Sequence, residues 1–169
     1  MFTLTPIDPI DPIDPIGRIA ASLRPLRIVC GALAGAVALY AVLCWVLLEG
    51  LAYRPQPGLP RSVPVALTMF AMILILLSSR LRTNVLRKAL AGGGLAPVNL
   101  DRLLEAYRRA TLISFALLEG AALLGMVVAF LSGTVFYGIA LGGASLVAML
   151  TRWPGVADVD RIARGRRSP

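Results

Sequence analysis

One carboxylate, Glu119, lies inside a long apolar run of the chain and could bind a proton or a cation there. Arg109 is the last basic residue before this run, and Glu119 follows it ten residues later. Ten residues of α-helix cover about 15 Å, which is close to the middle of a ~30 Å hydrocarbon core. A charged carboxylate costs on the order of 3 kcal/mol at such a depth. Glu119 is therefore the candidate from which the sequence could build a mechanism.

Residues suited to enzymatic chemistry are scarce. Histidine, the commonest general base and metal ligand, does not occur in the sequence. Cys30 and Cys44 both fall in the first apolar run, and about 21 Å of helix between them is too far for a disulfide. Asp101 and Glu105 lie near Arg108 and Arg109 at the helical spacing of an ion-paired surface. We expect no enzyme, no cofactor and no metal site.

The elements that would position Glu119 are apolar runs. Hydrophobic residues make up 57% of the chain and charged residues 15%, against about 25% charged in soluble domains. Uncharged or nearly uncharged runs cover residues 28–48, 63–79, 110–131 and 135–151, and Glu119 is in the third. Runs of this length suit transmembrane helices. The predicted fold class is all-α membrane, with four transmembrane helices arranged as two hairpins, 28–79 and 110–151.

Polar segments flank these hairpins. Residues 1–27 begin with a triple Ile-Asp-Pro repeat, which favours a disordered arm that serves as a tether or a docking segment, and the arm lacks the pattern of a secretory signal. Residues 80–109 form a connector that is broken at residues 92–94, which are three glycines. Its amphipathic helix, residues 100–107, is expected to lie near the membrane interface and to lead into the third span. Residues 152–169 form a basic tail.

Basic residues are unevenly distributed between the two sides of this topology. The arm has three Lys or Arg, the connector seven and the tail five, whereas the 54–61 loop has two and the 132–134 turn none. The positive-inside rule places both termini and the connector in the cytoplasm. The Arg- and Ala-rich composition favours a bacterial inner (plasma) membrane.

The partners expected from this distribution are lipids and other membrane helices. The net charge is +8, but basic residues flank apolar runs, which favours anionic lipid over nucleic acid. The predicted headgroup-binding residues are Arg80, Arg82, Arg87 and Lys88. Small residues permit close helix packing, either within the chain or in a homo-oligomer. The predicted packing positions are Gly31, Gly35, Ala116, Gly120, Gly125, Gly138 and Gly142.

Hydrogen-bond partners for Glu119 must be neutral, because the four runs contain no Lys or Arg. The candidates are the hydroxyls of Thr68, Ser114 and Ser145, the backbone, water or a second subunit. The tetrapeptide Leu-Leu-Glu-Gly occurs at 47–50 and again at 117–120, which suggests a duplication. Glu49, however, follows Arg27 by about 33 Å of helix and is predicted at the outer interface.

Residues 116–130 resemble a known helix. Ala-Leu-Leu-Glu119, followed six residues later by Gly125 and an aliphatic stretch, is similar to the carboxylate-bearing helix of the rotary ATP synthase proteolipids, the c subunits. The resemblance implies a reversible proton or sodium site at Glu119. The chain departs from that family in its longer connector, which lacks an Arg-Gln-Pro loop. The whole chain is also similar to small four-span bacterial membrane proteins of uncharacterised function whose third helix carries an Ala-Leu-x-Glu motif.

The function expected from these observations is that of a non-catalytic membrane subunit or scaffold, which packs against itself or a membrane partner. The alternative is a small proton, cation or solute permeation element that uses Glu119 as a protonatable site.

Overall fold

The fold consists of helices alone throughout the part of the chain that the structure describes. This computed structural model describes residues 15–50, 60, 62–91 and 100–159. The helices are α1 (Pro15–Trp45), which continues into a π-helical turn (Val46–Gly50), α2 (Ser62–Ala91), α3 (Leu100–Ser132) and α4 (Val135–Thr151). The all-helical prediction is confirmed.

Several helices could cross a membrane by length and composition. The segments Ile19–Gly50, Ser62–Lys88 and Asp101–Ser132 are each long and apolar enough to do so, and Val135–Thr151 is a shorter apolar helix. With 33 residues, α3 is about 50 Å long, well beyond a ~30 Å hydrocarbon core. A helix of this length is longer than such a core is thick.

Helix α3 is the centre of the bundle. It packs against α1, α2 and α4, and α1 also packs against α4, whereas α1 and α2 share no extensive contact. Different faces of α3 serve different neighbours: Ala121 clusters with Ala71 of α2, and Ala129 clusters with Cys44 at the end of α1. The second predicted hairpin is thus a packed pair. The first is not, because its two helices lie against α3 rather than against each other.

A tight turn joins α3 to α4. Gly133 has φ 66°, and the amide of Thr134 donates to the carbonyl of Ala129 over 3.2 Å. This six-residue hydrogen bond around a left-handed glycine is the Schellman ending of a helix. The turn expected at residues 132–134 is present.

Helix α1 begins at Pro15, earlier than the sequence predicted. Pro15 occupies the first turn, where its missing N–H costs nothing, and Ile19, Leu23 and Leu26 follow at helical spacing and are buried. The predicted disordered arm therefore does not hold for residues 15–27, because the prediction followed the proline spacing and not the apolar spacing after it. Residues 1–14 lie outside the described residues.

The predicted amphipathic segment is part of α3. Leu103, Leu104 and Tyr107 are buried, and Leu104 and Tyr107 belong to the same cluster as Leu23 and Val159. The apolar stripe at these residues therefore faces protein rather than a membrane surface. The 92–94 breaker and the side chain of residue 100 lie outside the described residues.

The start of the predicted tail also packs. Pro154 and Val159 are buried, and Arg27 Nε donates to the Pro154 carbonyl over 3.1 Å. Residues 160–169 lie outside the described part. The described portion of the tail thus closes over the first helix instead of leaving the bundle.

Four arginines gather at one end of the bundle. Arg27 contacts residue 154, Arg108 donates to the Ser22 carbonyl, Arg82 to the Tyr107 hydroxyl, and Arg152 to Ser78. These contacts join the start of α1, the end of α2, the start of α3 and the end of α4. We call this the basic end; successive helices therefore alternate in direction, as the predicted topology requires.

Candidate functional site

The carboxylate of Glu119 is bonded to a neighbouring helix. The Tyr40 hydroxyl of α1 donates to Glu119 Oε1 over 3.2 Å, and both side chains are half-buried. The two residues are 79 positions apart in sequence. The bond therefore links α1 to α3 within the apolar stretch of both helices.

Tyr40 is a partner that the sequence analysis missed. Of the expected hydroxyls, Thr68 donates to the Pro64 carbonyl and Ser114 accepts from Arg152. Buried Ser145 has no hydrogen-bond partner in the described part of the chain. A comparison of the predicted depths of polar residues in the different apolar runs would have identified Tyr40 as a partner for Glu119. It follows Arg27 by about 20 Å of helix, within one turn of the ~15 Å depth of Glu119.

The arrangement can hold a proton. One carboxylate oxygen accepts the tyrosine hydroxyl, and the carboxyl group can carry a proton on its other oxygen without losing that bond. Glu119 is not sealed inside the bundle, since it is only half-buried and neighbouring Ala116 is exposed. The structure thus shows a partly exposed carboxyl group that is held by one hydrogen bond from a neighbouring helix.

A second polar group, at the basic end, surrounds Arg152. Its Nη1 donates to Ser78 Oγ of α2 over 2.7 Å and to Ser114 Oγ of α3 over 3.4 Å, and both serines are fully buried. Burial, with a smaller contribution from the charge of Arg82, lowers the pKa of Arg152 from its usual value. Arg152, which follows α4, therefore ties three helices together.

The four predicted headgroup residues do not share one surface. Arg80, Arg87 and Lys88 are exposed, but Arg82 is half-buried. Its Nη2 lies 3.5 Å from the Tyr107 hydroxyl and its Cζ is 5.7 Å from the centre of that ring. Two residues along a helix turn the side chain by roughly 200°, so Arg82 points inward where Arg80 points outward.

Two of the predicted packing glycines lie at close contacts. A Cβ at Gly138 would lie 2.8 Å from Cys44 Sγ, and one at Gly125 would lie 2.7 Å from Leu141 Cβ. Looser neighbours surround Gly31, Gly120 and Gly142, where the nearest atoms would be 3.7–3.9 Å away.

Gly35 and Ala116 lie on the outside of the described bundle. Among the described residues, a Cβ at Gly35 would meet nothing within 4 Å, and both residues are exposed. The packing predicted for these two positions is therefore not seen between the described helices at Gly35, and Ala116 has an open side.

Two further acidic side chains, Glu49 and Glu105, lie on the surface. Glu49 is exposed and accepts a hydrogen bond of 2.6 Å from Trp45 Nε1, and exposed Glu105 forms an ion pair with Arg109. Glu49 is not brought near the Tyr40–Glu119 contact, so the repeated tetrapeptide yields one interhelical glutamate and one peripheral one.

Cys30 and Cys44 are free and buried. Among the described residues, no group of three or more Cys, Asp or Glu side chains could hold a metal ion.

Comparison of the chain with protein-family models, with characterised proteins and with solved structures finds no match.

Proposed function

We propose that the chain is an integral membrane protein that crosses the bilayer four times and acts as a non-catalytic subunit or scaffold. The observation that carries the proposal is the outer face of α2. Of the described side chains of α2, only Ala71 and Ser78 are buried. Large apolar side chains stand exposed along the same helix at Val65, Met69, Phe70, Ile73, Leu76 and Leu77.

Such a face needs an apolar surrounding. Leu76 is 65% exposed and Met69 is 61% exposed, and contiguous apolar patches of this kind mark membrane or protein contacts. Because α2 packs mainly against α3, most of its surface is left for lipid or for another membrane helix. Exposed Gly35 and Ala116 add small residues at which a second backbone could approach closely.

The fourth crossing is proposed for α4. Its 17 residues span about 26 Å, near the lower limit for a transmembrane helix, and it runs back along α3 from the turn at Gly133. With four crossings, both termini lie on the side of the basic end. The excess of Lys and Arg supports a cytoplasmic location for that side and anionic lipid as its neighbour.

The subunit proposal is tested by photo-crosslinking in native membranes. A photoreactive residue at Met69 on the outer face of α2 should give a discrete protein adduct, either a dimer of this chain or one defined partner. The matched control is Val147 on the outer face of α4, which is 60% exposed and as apolar. Adducts with lipid alone at both positions would contradict the proposal.

A second candidate is a proton or cation permeation element, and the half-buried Glu119 with its single described hydrogen bond favours it. In this alternative the carboxyl group of Glu119 exchanges its proton or cation while Tyr40 holds the group in place. The two candidates differ in whether purified protein in liposomes carries flux.

A further inference from the structure

We propose that the basic end holds a binding site for a phosphate-bearing anion between Arg82 and Arg152, at the junction of α2, α3 and α4. This inference rests on the proposed membrane location only for the lipid form of the ligand. It does not depend on the scaffold role or on Glu119.

The two guanidinium groups approach the same buried stripe of hydroxyls on α3. Tyr107, Thr111 and Ser114 are spaced four and three residues apart, so they share one face of the helix, and all three are at most 1% exposed. Arg82 donates to the first and Arg152 to the third. The middle hydroxyl, Thr111 Oγ1, is buried and has no hydrogen-bond partner among the described residues.

The arginines of the basic end are bound to neutral oxygens. Arg27 and Arg108 donate to backbone carbonyls, while Arg82 and Arg152 donate to hydroxyls. Within the described ranges, the ion pair between Arg109 and Glu105 is on the exposed surface, and no carboxylate lies within ion-pair distance of Arg82 or Arg152. Asp158 is near enough to Tyr107 to act on it electrostatically, but a single carboxylate does not balance the two guanidinium groups of Arg82 and Arg152.

An anion would resolve the charge imbalance. Arg82 and Arg152 are close enough to repel each other and are partly withdrawn from water, and partly buried like charges are stabilised when a counter-charge binds between them. Both residues are only half-buried, so part of each side chain can be reached from outside the bundle. The planar fork of donors in a guanidinium matches the oxygens of a phosphate group.

The position of the site, near the ends of two predicted apolar runs, suits a lipid headgroup as well as a soluble anion. Ser78 lies at the end of one predicted apolar run, and Ser114 lies one turn inside the start of another. Because a headgroup phosphate and inorganic phosphate offer the same oxygens, the chemistry of the site fits both, and the experiment separates them.

The test measures thermal unfolding of the full chain, purified in an uncharged detergent. Inorganic phosphate is titrated against chloride at equal ionic strength, and micelles with phosphatidylglycerol are compared with micelles containing phosphatidylcholine. A saturable rise in the melting midpoint is expected with at least one probe. The half-saturating concentration should increase tenfold or more in Arg82→Gln and in Arg152→Gln. The matched control is Arg102→Gln, which removes an exposed charge near the start of α3 and should leave the titration unchanged.

A response to inorganic phosphate identifies a soluble anion, and a response to phosphatidylglycerol alone identifies a lipid; both support the site. Equal titrations in all variants, or no saturable response to either probe, would overturn it. If a variant does not fold, the site is tested instead in the wild-type protein, by modification of its arginines with phenylglyoxal. The bound probe should protect Arg82 and Arg152 more than Arg102, and equal protection at all three would overturn the proposal.

Discussion

At the scale of single residues, the contact between Tyr40 and Glu119 is a polar link between two apolar helices. Hydrogen bonds between membrane helices contribute about 0.6 kcal/mol on average. We expect Tyr40→Phe to lower the free energy of unfolding in detergent by about 0.5–2 kcal/mol. The same change in a Glu119→Leu background should have a smaller effect, because the acceptor is already gone. Equal effects in both backgrounds would show that the hydroxyl stabilises the bundle without Glu119.

The proposed permeation function can also be tested by changing one residue. If Glu119 binds the transported proton or cation, Glu119→Gln should abolish flux into liposomes that contain the purified protein, since the amide cannot titrate. Glu49→Gln is the control, because Glu49 is exposed and lies away from the Tyr40–Glu119 contact. Flux that is missing from the wild-type protein, or unchanged in Glu119→Gln, would exclude this candidate and leave the glutamate a role in packing.

At the scale of helices, Gly138 and Gly143 are both helical residues of α4, but they have different surroundings. A Cβ at Gly138 would meet Cys44 Sγ at 2.8 Å and Ala129 Cβ at 3.3 Å, whereas one at Gly143 would meet nothing within 4 Å. We expect Gly138→Val to destabilise the protein by about 1–3 kcal/mol, because overpacking forces α1, α3 and α4 apart. Gly143→Val should change stability by no more than about 0.5 kcal/mol. The comparison is made by denaturant titration in detergent, and similar losses in the two variants would mean that helix propensity rather than packing sets the effect.

At the scale of the whole molecule, the basic end is proposed to face the cytoplasm. Both native cysteines are buried, so replacing them with alanine gives a background for single-cysteine labelling. We expect Thr134→Cys, in the α3–α4 turn, to react with a membrane-impermeant maleimide on intact cells. Arg87→Cys, at the basic end, should react only after the membrane is opened. The reverse pattern, or labelling of both positions on intact cells, would contradict the orientation.

The sequence alone predicted where the helices lie better than it predicted which helices pack together. Apolar runs indicate helices because length and the lack of charge are local properties of the sequence, and Glu119 was identified for the same reason. The pairing of helices is not local: α1 and α2 follow one another but both pack on α3. Tyr40 was missed, and the half-burial of Arg82 was not foreseen, for a related reason: both depend on which face of a helix meets a neighbour. The early start of α1 was hidden by the proline repeat that precedes it.

The central position of α3 has a consequence for how the chain is assembled. In the proposed membrane location, α1 and α2 leave the ribosome before α3, the helix that both of them contact. Because α1 and α2 share no extensive contact in the folded protein, we expect them to associate only weakly until α3 is present. The two-residue connection at 133–134 then brings α4 directly behind α3. We therefore expect a chain interrupted before α3 to leave two separate helices rather than half of a bundle.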